Sequence, residues 1–174
     1  RIGQATGKIA KAFGMKVLAY DGFQSEEGAK IADYVTLDEL LQQSDVISLH
    51  CPLFPDTKGI INKDTIAKMK DGVILVNTSR GGLIKTDDLI QGIRDGKFFA
   101  VGLDVYEEET GFVYEDMSDQ ILDRSTMARL LSFPNVMVTS HQGFFTKEAL
   151  EAISHTTLEN VITFIEGKES PNTL

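Results

Sequence analysis

The chain has 174 residues, the size of one domain and enough to bury a core of its own. With 42% hydrophobic and 25% charged residues it reads as an ordinary soluble globular protein, and no apolar run reaches the roughly 18 residues of a membrane span. Acidic residues outnumber basic ones by 26 to 17, and the resulting net charge of −9 disfavours nucleic acid as a partner. An anionic small ligand would need local positive groups, so every arginine at a strand end becomes a candidate. The single cysteine, Cys51, excludes an internal disulfide and suits a reducing cytoplasm. No secretory signal is visible, and a chain that starts at Arg1 rather than methionine is expected to lack its true N-terminus.

In chain order, Ile2, Ala5, Ile9, Ala12 and Phe13 make an apolar stripe at helical spacing, with Gly14 placed to end the helix. Residues 16–21 form the first strand candidate, and residues 33–35 a short one at an edge. Thr36-Leu-Asp-Glu39 reads as a capping box for a helix through Gln43. Strands follow at 45–50 and 73–79, nearly continuously apolar as expected where both faces are covered. Thr86 is placed to cap a helix running to about Asp95, before Gly96 and a strand at 99–105. Residues 107–129 read as an acidic, irregular insertion before a strand at 135–140. A last helix runs from about Lys147 to Glu166 and stops at Gly167, with Ala149, Leu150, Ile153, Val161, Ile162 and Ile165 as its apolar stripe.

Strand and helix alternating this often predict an α/β fold: right-handed crossovers and a doubly wound, Rossmann-like parallel sheet. Ligands bind such sheets beyond the carboxyl ends of the strands. The residues there are Asp21, His50-Cys51-Pro52, Thr78-Ser79-Arg80, Asp104 onward and His141.

Asp21 lies eighteen residues after Gly3, where an acid in a dinucleotide fold accepts hydrogen bonds from the adenosine ribose and repels a 2′-phosphate. An aspartate before Gly22 is also an ordinary turn residue, and spacing alone does not separate the two. Only Arg1-Ile2-Gly3 remains of any glycine fingerprint. Arg80, in Asn77-Thr-Ser-Arg-Gly-Gly82, could grip a carboxylate through two parallel hydrogen bonds. His141 follows the last strand, and its ordinary pKa of about 6.5 suits proton donation near neutrality. His50 is expected to shape the ligand pocket without titrating, and His155 to be solvated. A carboxylate paired with His141 would make it a better acid; Glu107, Glu108 and Glu109 all qualify, and composition does not choose among them. Metal-ligand spacings, C-x-x-C and G-x-S-x-G are all missing, which disfavours metal-dependent and acyl-transfer chemistry. Arginine, histidine and carboxylate on a dinucleotide sheet suggest hydride transfer to a 2-keto acid.

Three ordered segments, Asn77 to Gly82, Gly102-Leu-Asp-Val-Tyr-Glu-Glu-Glu109 and Ser140-His-Gln-Gly-Phe-Phe-Thr146, resemble the signatures of the D-isomer-specific 2-hydroxyacid dehydrogenases. The resemblance implies that Arg80 binds the substrate carboxylate, His141 donates the proton and Glu109 is its partner. It implies NAD as cofactor, with contacts from the Arg1-Ile2 turn, Asp21, Cys51-Pro52, Thr57, Thr78-Ser79 and Asp104. It also implies an NAD-binding domain over residues 1–143, lacking its first strand, and a C-terminal helix over 144–174 returning to a substrate domain that precedes Arg1. The segment alone is therefore expected to be inactive, and the complete protein to be a homodimer or homotetramer taking a 2-keto or 2-hydroxy acid. Within the family, the long acidic segment and the ending Glu169-Ser-Pro-Asn-Thr-Leu174 resemble the fermentative D-lactate dehydrogenases, which implies pyruvate as substrate. A non-catalytic, NADH-sensing corepressor-like protein shares the fold and all three polar residues, and is the alternative.

Overall fold

A computed structural model describes residues 1–107, 126–169 and 172. The chain divides into two compact units, Arg1–Ser140 and His141–Leu174.

The first unit opens with helix α1 (Ile2–Ala12), which ends through Phe13 into Gly14 at φ 81°, a left-handed turn that favours glycine. Strand β1 (Leu18–Ala19) pairs in parallel with β2 (Asp33–Tyr34) across the short helix α2 (Glu26–Ala29). Helix α3 (Leu37–Gln43) starts with the expected capping box: the Thr36 hydroxyl accepts from Glu39 N–H, and the Glu39 carboxylate accepts from Thr36 N–H. Then come β3 (Val46–Leu49), α4 (Lys63–Lys68) capped by Asn62, and β4 (Val73–Asn77). A 3₁₀ turn (Gly81–Leu83) leads into α5 (Thr86–Arg94) and β5 (Phe98–Leu103). Helix α6 (Thr126–Leu131) and β6 (Val136–Val138) complete the unit.

Strands β3, β4, β5 and β6 form one parallel sheet in that order, while β1 and β2 form a separate parallel pair. All strand pairing among the described residues is parallel, as the α/β expectation requires. All six expected strands are present but shorter, because a strand persists only where a neighbour supplies the ladder. β1 has β2 alone beside it and pairs over two residues.

Burial in the sheet alternates more than the apolar runs suggested. Ile47, Leu75 and Val101 lie in register and are buried, as are Leu49, Asn77 and Leu103. Helices α3 to α6 pack in a row against this face, and Leu41, Ile66, Leu89, Ile93 and Leu130 close the core. The other face carries Val46, Ser48, Ile74 and Val76, exposed or half-buried. There α1 reaches the sheet at one end, where Gly3 lies against the His50 side chain.

Two expectations need correction. Thr86 does not cap α5: it is the first helical residue, after Lys85, and its N–H and hydroxyl are both bound from outside the helix by the Glu107 carboxylate at 3.1 Å. The stretch 107–129, read as irregular, ends inside α6 (Thr126–Leu131), which the completely buried Leu130 anchors. The rest of that stretch, 108–125, lies outside the described residues.

The second unit is helix α7 (Lys147–Ile165), capped by the Thr146 hydroxyl on Ala149 N–H and ended by Gly167 at φ 66°. It begins and stops where the sequence predicts. Within the unit its apolar residues have no second element to be buried against, and none of them is buried. Among the described residues no helix is long and apolar enough to cross a membrane.

Candidate active site

The carboxyl ends of β3, β4, β5 and β6 are tied together by hydrogen bonds that leave little freedom to the loops beyond them. At the end of β4, the fully buried Asn77 holds the loop that carries Arg80. Its Oδ1 accepts from Ser79 N–H at 3.0 Å, and its Nδ2 donates to the Arg80 carbonyl at 2.9 Å. A buried amide satisfied at both ends costs nothing in lost hydration and fixes the backbone on either side of Ser79. The Ser79 hydroxyl then donates to the Cys51 carbonyl at 2.7 Å, joining this loop to the one after β3.

Arg80 is exposed, with an extended backbone. Its Nη1 donates to the neighbouring Ser79 carbonyl at 2.7 Å, which leaves the remaining guanidinium donors to meet an anion. Gly81, the next residue, is buried, and a Cβ built on it would stand 1.9 Å from the Tyr106 carbonyl oxygen. The glycine is therefore required for packing: it lets the arginine loop nest against the chain leaving β5. Glu107, by capping α5, holds that chain in place from the other side.

After β3, the Thr57 hydroxyl donates to the Pro52 carbonyl at 2.7 Å and accepts from Phe54 N–H at 2.8 Å, closing the 52–57 loop on itself. His50 Nε2 lies 3.0 Å from the Ser48 hydroxyl, and burial holds its pKa below the ordinary value, so it stays neutral near pH 7. That agrees with a wall residue that does not titrate. Burial likewise raises the Cys51 thiol above its ordinary value, which keeps it protonated and unreactive.

At the end of β5, Asp104 N–H donates to the Asn77 carbonyl at 2.9 Å, and the Asp104 carboxylate accepts from the Thr139 hydroxyl at 2.5 Å. On the other side of the unit, Asp21 is exposed after β1, and its Oδ1 accepts from Phe23 N–H at 2.9 Å in a local turn. Arg1 precedes α1 without a side-chain cap hydrogen bond, and Ile2 is exposed.

The first unit thus gathers Cys51, Pro52, Thr57, Thr78, Ser79, Arg80 and Asp104 at adjacent strand ends, with Asp21 beyond β1. His141 opens the second unit and has φ 53°, the one left-handed backbone at a non-glycine among the described residues. Such a conformation costs of order 1 kcal/mol and recurs at functional positions. Glu109 lies outside the described residues. The sequence motifs include Asn77 but assign it no role, and Thr139 lies outside them. A buried polar residue directly at the end of an apolar strand is the signal that could have singled out Asn77.

The NAD binding domain model of the D-isomer specific 2-hydroxyacid dehydrogenases matches residues 1–143. The chain belongs to that family. It is 47% identical over 174 residues to 2-hydroxyacid dehydrogenase A of Aspergillus oryzae, covering 100% of this chain and 50% of the relative. It is also 47% identical over 171 residues to a hydroxypyruvate reductase of Blautia hydrogenotrophica, covering 96% of this chain and 48% of the relative. Among solved structures, D-lactate dehydrogenase from Aquifex aeolicus, complexed with NAD and lactic acid, aligns with a TM-score of 0.86 at 38% identity, over 95% of this chain and 51% of that one. The chain spans about half the length of the curated relatives it matches.

The residues fit the cofactor that the domain is built for. Carboxylates at the ends of β1 and β5 offer acceptors to the hydroxyl and amide donors of a dinucleotide, and the first N–H groups of α1, which no side chain caps, offer donors to its phosphates.

Proposed function

We propose that the complete protein is an NAD-dependent D-2-hydroxyacid dehydrogenase, and that it reduces pyruvate to D-lactate. The observation that carries this reading is the Arg80 loop: an exposed guanidinium at a ligand-binding strand end, fixed by Asn77 and nested on Tyr106 through Gly81. Such a fixed cation serves to hold and orient a small carboxylate.

The remaining donors of Arg80 grip the carboxylate of the 2-keto acid and polarise its ketone. Bound NADH supplies the hydride, which goes to the carbonyl carbon. The His141 imidazolium gives its proton to the carbonyl oxygen, so that the 2-hydroxy acid and the oxidised cofactor leave. Glu109 is the carboxylate partner of His141 in this reading. Asp21 accepts from the adenosine ribose hydroxyls. Arg1 and Ile2 present backbone N–H groups to the pyrophosphate, and Cys51, Pro52, Thr57, Thr78, Ser79 and Asp104 line the rest of the cofactor's path. Residues 144–174 return the chain to a preceding substrate domain. The complete enzyme is taken to be a cytoplasmic homodimer or homotetramer.

Pyruvate is favoured over larger acids by the acidic segment between β5 and β6 and by relatives that carry the D-lactate dehydrogenase name. The test is NADH oxidation by the complete protein with pyruvate, glyoxylate, hydroxypyruvate and 2-ketoisocaproate, with the chirality of the product determined. Fast turnover of pyruvate to D-lactate is expected. A preference for hydroxypyruvate would retain the reaction and replace the substrate, and failure with all four would remove the enzyme reading.

A further inference from the structure

The cofactor-binding aspartate at the end of β5 does not stand alone. Thr139, one residue past β6, donates its hydroxyl to the Asp104 carboxylate at 2.5 Å, in the short range of a charge-assisted O–H···O⁻ bond. Both partners are anchored by backbone: Asp104 N–H binds the Asn77 carbonyl at 2.9 Å, and Thr139 N–H binds the Leu103 carbonyl at 2.8 Å. The two side chains therefore meet at neighbouring strand ends whose register, Leu103 opposite Val138, is already fixed. A β-branched threonine has few rotamers and holds its hydroxyl in one direction.

A dinucleotide fold binds its ligand across two halves, one nucleotide to each. Asp21 follows β1 in one half, and Asp104 follows β5 in the other, so Asp104 faces the nicotinamide nucleotide. We propose that Thr139 is a positioning residue that aims the Asp104 carboxylate at the nicotinamide half of NAD. The inference rests on the reading of these strand ends as the NAD site. Without the hydroxyl, the carboxylate loses the bond that aims it at the nicotinamide side, while the adenosine half keeps all of its contacts.

The test compares NADH with ADP-ribose, a probe that lacks the nicotinamide ring, by calorimetric titration of the complete protein. Thr139→Val keeps the branched shape and removes the hydroxyl. It is expected to weaken NADH about tenfold, the loss of one hydrogen bond to a charged group, and to leave ADP-ribose within about twofold. Thr139→Ser restores the hydroxyl and should restore NADH binding. Thr139→Ala removes the hydroxyl without placing a methyl against the carboxylate, and must reproduce the same selective loss. Equal weakening of both ligands would show a structural role only and overturn the proposal, as would unchanged NADH binding in both Val and Ala. A wild-type protein that bound neither ligand would refute the NAD reading itself, and the positioning role with it.

Discussion

The two halves of the strand-end surface are built in different ways. Beyond β4, β5 and β6, each loop is tied to its neighbour: Asn77 to the Arg80 loop, Ser79 to Cys51, Gly81 against Tyr106, Thr139 to Asp104. Beyond β1, Asp21 is bonded to its own turn at Phe23 and is exposed. The difference follows from what each half must do. Hydride transfer demands that reacting groups be held to a fraction of an ångström, so the half nearest the chemistry needs over-determined loops. A ribose hydroxyl tolerates an acceptor that turns to meet it. On the proposed reaction, the more closely tied half is the one that would lie nearest the chemistry.

This contrast can be broken most forcefully at His141. Removing the proposed proton donor in His141→Ala is expected to cut kcat by about 10²–10⁴, with NADH affinity nearly intact. An equal loss of kcat and NADH affinity, measured by steady-state kinetics and titration, would show that the left-handed corner at φ 53° serves the fold and not the reaction. Next in size is Gly81→Ala. Its Cβ would stand 1.9 Å from a backbone carbonyl that has no room to retreat, because Glu107 clamps the next residue to α5. Overpacking of this kind costs about 3 kcal/mol, so a clear fall in Tm and a lost grip on the 2-keto acid are expected together. An unchanged Tm would mean that the arginine loop is looser than the tied half requires.

The tied half was legible in the sequence only as a set of ends. Apolar runs located all six strands, and Thr36, Gly14 and Gly167 marked helix boundaries correctly, because these are local signals read within four residues. The cap of α5 was misread for the opposite reason. Thr86 carries the right side chain, yet the group that satisfies the helix comes from Glu107, 21 residues away, and no local pattern announces it. The bond from Thr139 to Asp104 spans 35 residues and was hidden in the same way. Among the three glutamates, composition made no choice; the structure shows that Glu107 is already engaged in a cap. Strand ends bring distant residues together, so the residues at those ends could be named in advance while their mutual bonds could not.

Smaller effects sharpen the comparison between the halves. Arg80→Lys keeps the charge and loses the two-pronged geometry, so KM for the 2-keto acid should rise about tenfold with Tm unchanged. An unaltered KM would remove the clamp. Asp21→Ala should be the mildest change. The carboxylate is exposed, and its proposed hydrogen bond to the ribose would compete with water, so NADH should weaken only about fivefold. The same substitution removes the charge that repels a 2′-phosphate, so NADPH should lose nothing and the preference between the two cofactors should narrow. Tm should barely move, because only the local bond to Phe23 N–H is lost. If Asp21→Ala instead lowered Tm as much as Gly81→Ala, the adenosine half would be as tightly built as the catalytic half. The division of rigidity between them would then have to be abandoned.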